Sequence, residues 1–198
     1  MTNHNPVLDD LVTYLQSLIS APVRAEVIYK FFKPLTIRKN EYILRQGSNK
    51  RPIIFVHSGY FRLFRNDPDG DGFTRAISAR RKFLSDIYQF AGDGLAKQNI
   101  QAITDCEVAL IYREEVTNLE KEFPEFKDVE IKVLEDVVVQ FARRADQLLT
   151  QNAHHRYRLL VEQHPDLIRN VPIKDIASFL GITPQSLSRL RSNELRQP

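Results

Sequence analysis

Apolar residues along this chain change their period twice, and each change marks a change of architecture. Leu8, Leu11, Val12, Leu15, Leu18 and Ile19 recur at the spacing of one buried helix face, and Val23, Val27, Ile28 and Phe31 form a second stripe. This spacing predicts helices from about Val7 to Phe32. From about Lys33 to Tyr112, short runs of β-branched and aromatic residues replace it: Leu35–Ile37, Tyr42–Leu44, Ile53–Val56, Tyr60–Phe64, Phe73–Ile77, Ile100–Ile103 and Val108–Tyr112. Turn residues separate them, Gly47, Gly59, Gly70 and Gly72 among them, so the pattern predicts an antiparallel sandwich or barrel. One excursion, Asp86 to Asn99, interrupts it with a short helix at Asp86–Phe90 and an Ala-Gly-Asp-Gly stretch.

The helical period returns near Glu114. Pro124 opens a long helix to about Gln151, with Val129, Val133, Leu134, Val137, Val138, Phe141, Ala145 and Leu148 as a sustained apolar seam. A seam of that length suits two packing partners, the β domain and a second copy of the chain. A further helix covers about Ala153 to Gln163, and a domain border is expected near Gln151.

In the last stretch, Ile173, Ile176, Ala177 and Leu180 make the buried face of a short helix. Gly181 is suited to the left-handed residue that ends it, Thr183 to the next N-cap, and Pro184 to a first helical position. Leu187 and Leu190 turn the second helix onto the first, which leaves Gln185, Ser186, Ser188, Arg189 and Arg191 outward, with no carboxylate until Glu194. This is the pattern of a helix-turn-helix, whose second helix enters the major groove of double-stranded DNA. Gln185 and Arg189 are expected to reach base edges, and Ser186, Ser188, Arg191 and the amides near Thr183 to hold phosphates.

Composition narrows the picture further. The 198 residues allow one large or two modest domains, and 42% hydrophobic residues suffice for a core. A net charge of +3 is permissive for nucleic acid without demanding it. Cys106 is the only cysteine, so an internal disulfide and a four-cysteine cluster are excluded, and a reducing cytoplasm is the expected setting. No apolar run has the length of a membrane span, and the polar, acidic start MTNHNPVLDDLV does not read as a secretion signal. No Ser-His-Asp grouping or glycine-rich phosphate loop is present, so no enzyme is expected, and no cofactor or metal either. Asp67, Asp69 and Asp71 open like a calcium loop, but Ser78 stands at its twelfth position, so an acidic hairpin turn is the better account. Arg80, Arg81 and Lys82 read as a solvated basic loop, or as an attractor for an anion. His57 falls at a predicted turn, where it is expected to be exposed.

The order of parts resembles the Crp/Fnr family of bacterial transcription regulators. Tyr42-Ile43-Leu44-Arg45-Gln46-Gly47 followed by Ile54-Phe55-Val56-His57-Ser58-Gly59 is similar to the family's early strands with their turn glycines. The helix from Pro124 is similar to its dimer helix, and Val171 to Arg191 to its terminal motif, nearest a subgroup whose chains stop soon after the recognition helix, without a wing.

The resemblance implies an α+β fold: an N-terminal antiparallel β jelly-roll barrel with flanking helices (1–123), a long dimerisation helix (124–151), and a C-terminal helix-turn-helix domain, an incomplete winged helix (152–198). It implies a dimeric, sequence-specific DNA-binding transcription regulator, with DNA, a second copy, a small-molecule effector and RNA polymerase as partners. Members that bind cyclic AMP use a carboxylate on the ribose and an Arg-Ser pair on the cyclic phosphate. Alignment on Cys106-Glu107-Val108 places Asp86 at the carboxylate and Ala96 and Lys97 at the pair. Asp86 and Lys97 are therefore the candidate effector residues, and cyclic AMP binding is expected to be weak or absent, since alanine supplies no substitute for the arginine fork. The family's cysteine-bound cluster cannot be built here, and its haem branch finds only an exposed His57. The alternative left open is a ligand-binding or protein-interaction module with a vestigial helix-turn-helix.

Overall fold

The computed structural model describes residues 4–66, 72–92 and 94–194, and the acidic turn at Asp67, Asp69 and Asp71 lies outside them. Two helices, α1 (Pro6–Leu18) and α2 (Ala25–Phe31), open the chain. Asn5 Oδ1 starts α1 by accepting the amides of Val7 and Leu8, donors that no helical carbonyl serves. Leu11, Leu15 and Ile28 are fully buried, and join Phe55 and Ile111 of the sheet in one core.

The strands are β1 (Lys33–Ile37), β2 (Tyr42–Leu44), β3 (Pro52–Ser58), β4 (Phe61–Arg65), β5 (Phe73–Ser78), β6 (Phe83–Leu84), β7 (Asn99–Ala102) and β8 (Cys106–Tyr112), with α3 (Ile87–Ala91) between β6 and β7. They form two four-stranded antiparallel sheets, ordered β1-β8-β3-β6 and β2-β7-β4-β5. The seven runs read from the sequence each fall on a strand, with only Tyr60 and Ile103 just outside; β6 escaped because two residues carry no period. Ile54, Val56, Phe61, Ile100 and Val108 fill the space between the sheets. Gly59 joins β3 to β4 at φ +87, and a Cβ there would fall 2.5 Å from both Asp105 O and Cys106 Sγ. Only glycine fits a turn so placed. Burial pushes the Cys106 thiol up from its ordinary value, which makes the lone cysteine a packing residue and not a nucleophile.

Six helices complete the described chain: α4 (Arg113–Glu122), α5 (Phe126–Thr150), α6 (Ala153–Gln163), α7 (Pro165–Asn170), α8 (Ile173–Leu180) and α9 (Pro184–Glu194). The long seam of α5 divides into two stripes. Val129 is buried and Val133 packs beside it on the core that α1, α2 and the first sheet share. Ile131, Val138 and Leu148 are exposed at 52%, 65% and 42%. With Leu134, Phe141 and Ala145 they alternate at three- and four-residue spacing, a heptad stripe that includes Ile131, absent from the seam read earlier.

One expectation is corrected here and another refined. His57 is not at an exposed turn: it lies in β3, its side chain is 19% exposed, and Nδ1 is 2.7 Å from Asp10 Oδ2. The run Arg80–Lys82 is a solvated turn, its side chains 63%, 48% and 45% exposed, yet two of them are paired. Arg81 Nη2 is 2.7 Å from Asp10 Oδ1, and Lys82 Nζ is 2.8 Å from Asp136 Oδ2 on α5. Burial alone would raise the Asp10 carboxyl, but hydrogen bonds from Arg81 and His57 outweigh it and hold the group below its ordinary value. The run thus ties α1 and α5 to the β5–β6 turn.

A second carboxylate behaves in the opposite way. Glu130, at the start of α5, is pushed up to about 7 by burial and by Glu120 beside it, against a weaker pull from Arg113 at 3.9 Å. Its folded value stands above its ordinary 4.5, so the stability it contributes is fully present below that value and lost as pH rises through about 7. Glu130→Gln is therefore expected to raise the melting temperature at alkaline pH and to change it little in mild acid. Thermal melts on both sides of neutrality check this.

Candidate functional site

The terminal helices follow from local rules. Ile176, Ala177 and Leu180 are buried on α8, and Gly181 takes φ +70, letting the Ile182 amide bond back to Ala177 O at 3.0 Å. Thr183 Oγ1 accepts the Ser186 amide at 3.1 Å and lies 3.0 Å from Ser186 Oγ, capping α9. Leu187 is fully buried against α8 and its neighbours. Thr183, Gln185, Ser186, Ser188, Arg189 and Arg191 are all exposed. Gln185 and Arg189 are one helical turn apart, and so share a face.

α8 also docks on the β domain, which the sequence did not reveal. Asp175 Oδ1 is 2.7 Å from Arg62 Nη1, and Nε and Nη2 of the same guanidinium reach Gln101 Oε1 at 3.0 and 2.7 Å. Ser178 Oγ accepts the Thr74 amide at 2.9 Å and donates to Gly72 O at 3.1 Å. β5 is an edge strand, and α8 covers the open groups of that edge. The one local clue was an aspartate among the apolar residues of α8; its partner lies 113 residues away.

The two effector candidates meet only through the backbone. Asp86 is fully buried and caps α3. Its Oδ1 accepts from the Tyr88 amide and Gln98 Nε2, both at 3.1 Å, and its Oδ2 from the amides of Lys97 at 2.6 Å and Gln98 at 3.1 Å. Four donors fill the acceptor capacity of one carboxylate. The Lys97 side chain is exposed, and Ala96 is 2% exposed, its backbone paired with Gly47 and Ser48.

Comparison with known proteins agrees with this architecture. The cyclic nucleotide-binding domain family matches residues 34–122, which span β1 to α4. Residues 34–122 are thus similar in sequence to a cyclic nucleotide-binding domain. The overall fold is similar to those of several solved structures. CLP of Xanthomonas campestris, a c-di-GMP responsive global regulator, superposes with a TM-score of 0.67 at 15% identity, covering 86% of this chain and 89% of that one. A CooA variant from Carboxydothermus hydrogenoformans gives 0.67 at 22% identity, over 98% and 85%. FixK2 of Bradyrhizobium japonicum gives 0.68 at 17%, over 82% and 83%. No curated protein matches the chain by sequence. Within the matched residues, α3 and the loop to β7 are held together by Asp86 itself. Among the described residues no helix is long and apolar enough to cross a membrane.

Proposed function

We propose that the chain is a dimeric, sequence-specific DNA-binding transcription regulator of the Crp/Fnr type, in which the state of the sensor sets the placement of two recognition helices. The observation that carries this reading is α9: Leu187 anchors it, while Gln185, Ser186, Ser188, Arg189 and Arg191 stand exposed on it. α8, Gly181 and α9 then act as a helix-turn-helix, with α9 as the groove-reading helix. The fold shared with CLP, a global regulator of gene expression, supports it.

The second copy pairs through α5. The heptad stripe Ile131, Leu134, Val138, Phe141, Ala145 and Leu148 is the surface a two-stranded coiled coil needs. Pairing there sets two α9 helices against one palindromic site. Cyclic AMP is expected to bind weakly or not at all, because Asp86 is already satisfied and Ala96 carries no charge.

Binding of the full chain to genomic DNA fragments over a salt series tests the reading, since neutralised phosphates make log affinity fall linearly with log salt. Absence of any salt-dependent, sequence-selective retention would overturn it. Arg189→Ala is expected to weaken operator binding by about 1–3 kcal/mol and to relax preference at one base position. Affinity measured on operators varied at each position checks both effects.

A further inference from the structure

A cleft of about 600 Å³ separates the sensor from the C-terminal helices, and volumes of about 300–1,000 Å³ are typical of small-molecule sites. Ile87 of α3, Val133 and Val137 of α5 and Leu159 of α6 give it apolar walls. Three arginines face it, without carboxylate partners among the described residues. Arg75 of β5 lies over the rings of Tyr88 and Phe141, at 5.0 and 4.5 Å. Arg144 of α5 lies 4.2 Å over Phe179 and donates to Phe179 O, and Arg156 of α6 donates from Nη2 to Leu180 O at 2.9 Å. Those carbonyls are neighbours at the C-terminus of α8, so the two guanidiniums are held side by side.

Among the described residues none of the three arginines enters an ion pair. Arg156 Nε is buried and has no hydrogen-bond partner among them. The carboxylates that line the cleft are engaged elsewhere: Asp136 with Lys82, and Glu130 with Glu120 and Arg113. Burial, and then the charge of Arg156, pull Arg144 down to about 10. A bound anion relieves both costs at once.

We propose that this cleft binds an apolar carboxylate, its body against α3, α5 and α6 and its charge on Arg144 and Arg156. A guanidinium pair recognises a carboxylate through charge-assisted hydrogen bonds, and the apolar side chains of α3, α5 and α6 supply area for the ligand's body. Because the walls come from the sensor, the long helix and the C-terminal helices, the ligand favours whichever placement of α6 to α9 closes on it. That regulatory consequence rests on the DNA-binding reading above, whereas the binding of the ligand itself does not.

The test uses the full chain with 1-anilinonaphthalene-8-sulfonate as a fluorescent apolar anion, displaced by dodecanoate or by dodecan-1-ol. Dodecanoate is expected to displace it saturably, and the alcohol roughly tenfold more weakly, the difference being the charge-assisted bonds. Arg144→Gln and Arg156→Gln should each lower dodecanoate affinity by roughly tenfold and leave the alcohol unaffected. Val137→Trp, which adds bulk to the apolar wall of the cleft, should weaken both. Equal displacement by acid and alcohol, or arginine variants that bind dodecanoate like the parent chain, overturns the site. So does a probe signal that disappears as the chain self-associates, which makes a second copy the occupant. The displacement contains no DNA, so it stands or falls apart from DNA binding. Unchanged operator affinity at saturating dodecanoate would overturn the regulatory consequence alone.

Discussion

Leu187→Ala is expected to release α9 from the C-terminal core and to abolish sequence-selective DNA binding while the sensor stays folded. Leu187 is fully buried, in one cluster with Ile176, Ala177, Leu180 and Tyr157. Large-to-small changes at such sites cost about 2–5 kcal/mol, because the lost transfer energy is joined by the cavity left behind. α9 has 11 residues, and isolated helices of that length are marginal in water. Its Thr183 cap contributes about 1 kcal/mol, which does not offset the loss. Amide exchange read segment by segment checks this: α9 should lose protection and β3 and β8 keep theirs. If α9 stayed protected and operator binding persisted, both its anchoring and its role would be misassigned.

Asp175→Ala should act differently, loosening α8 from the sensor without dissolving the contact between α8 and α9. The Asp175 side chain is 5% exposed and that of Arg62 19%, so the pair is largely out of water. Removing one partner of a buried pair costs about 3–5 kcal/mol, since the remaining charge is left without compensation. The low end applies here, because Arg62 keeps its bonds to Gln101 and its place 4.0 Å over the Phe64 ring. The readout is the Thr74 amide, which bonds to Ser178 Oγ across the same junction and should exchange faster in the variant. Pairing Asp175→Leu with Arg62→Met should recover much of the loss, because both charges then leave together. A Thr74 amide as slow as in the parent chain would show that the ion pair does not hold the junction.

Much of this was legible in advance for one reason: it depends on near neighbours in sequence. The short strands are set by β-branched and aromatic runs between turn residues, and the exposed face of α9 by the spacing of Leu187 and Leu190. The turn at Gly181 and the cap at Thr183 were equally local. The division of the α5 seam was not. Val129 and Ile131 are both apolar and close in the chain, and only the position of the sensor decides that one is 1% exposed and the other 52%.

The charged residues show the same limit more sharply. Asp10 reads as the polar face of a helix, yet it binds His57 and Arg81, 47 and 71 residues on. Asp86 was placed correctly as the start of a short helix, but its carboxylate is consumed by Lys97 and Gln98 of the following loop. By itself, then, the sequence determined the kinds of element, their order and the outward chemistry of the last helix, because helix and strand periods and caps act over a few residues. The tertiary structure alone decided which carboxylates are spent inside the fold, which stripe of α5 is left open, and that α8 rests on β5. Those outcomes depend on sheet register and on packing between distant segments, and no local pattern encodes either.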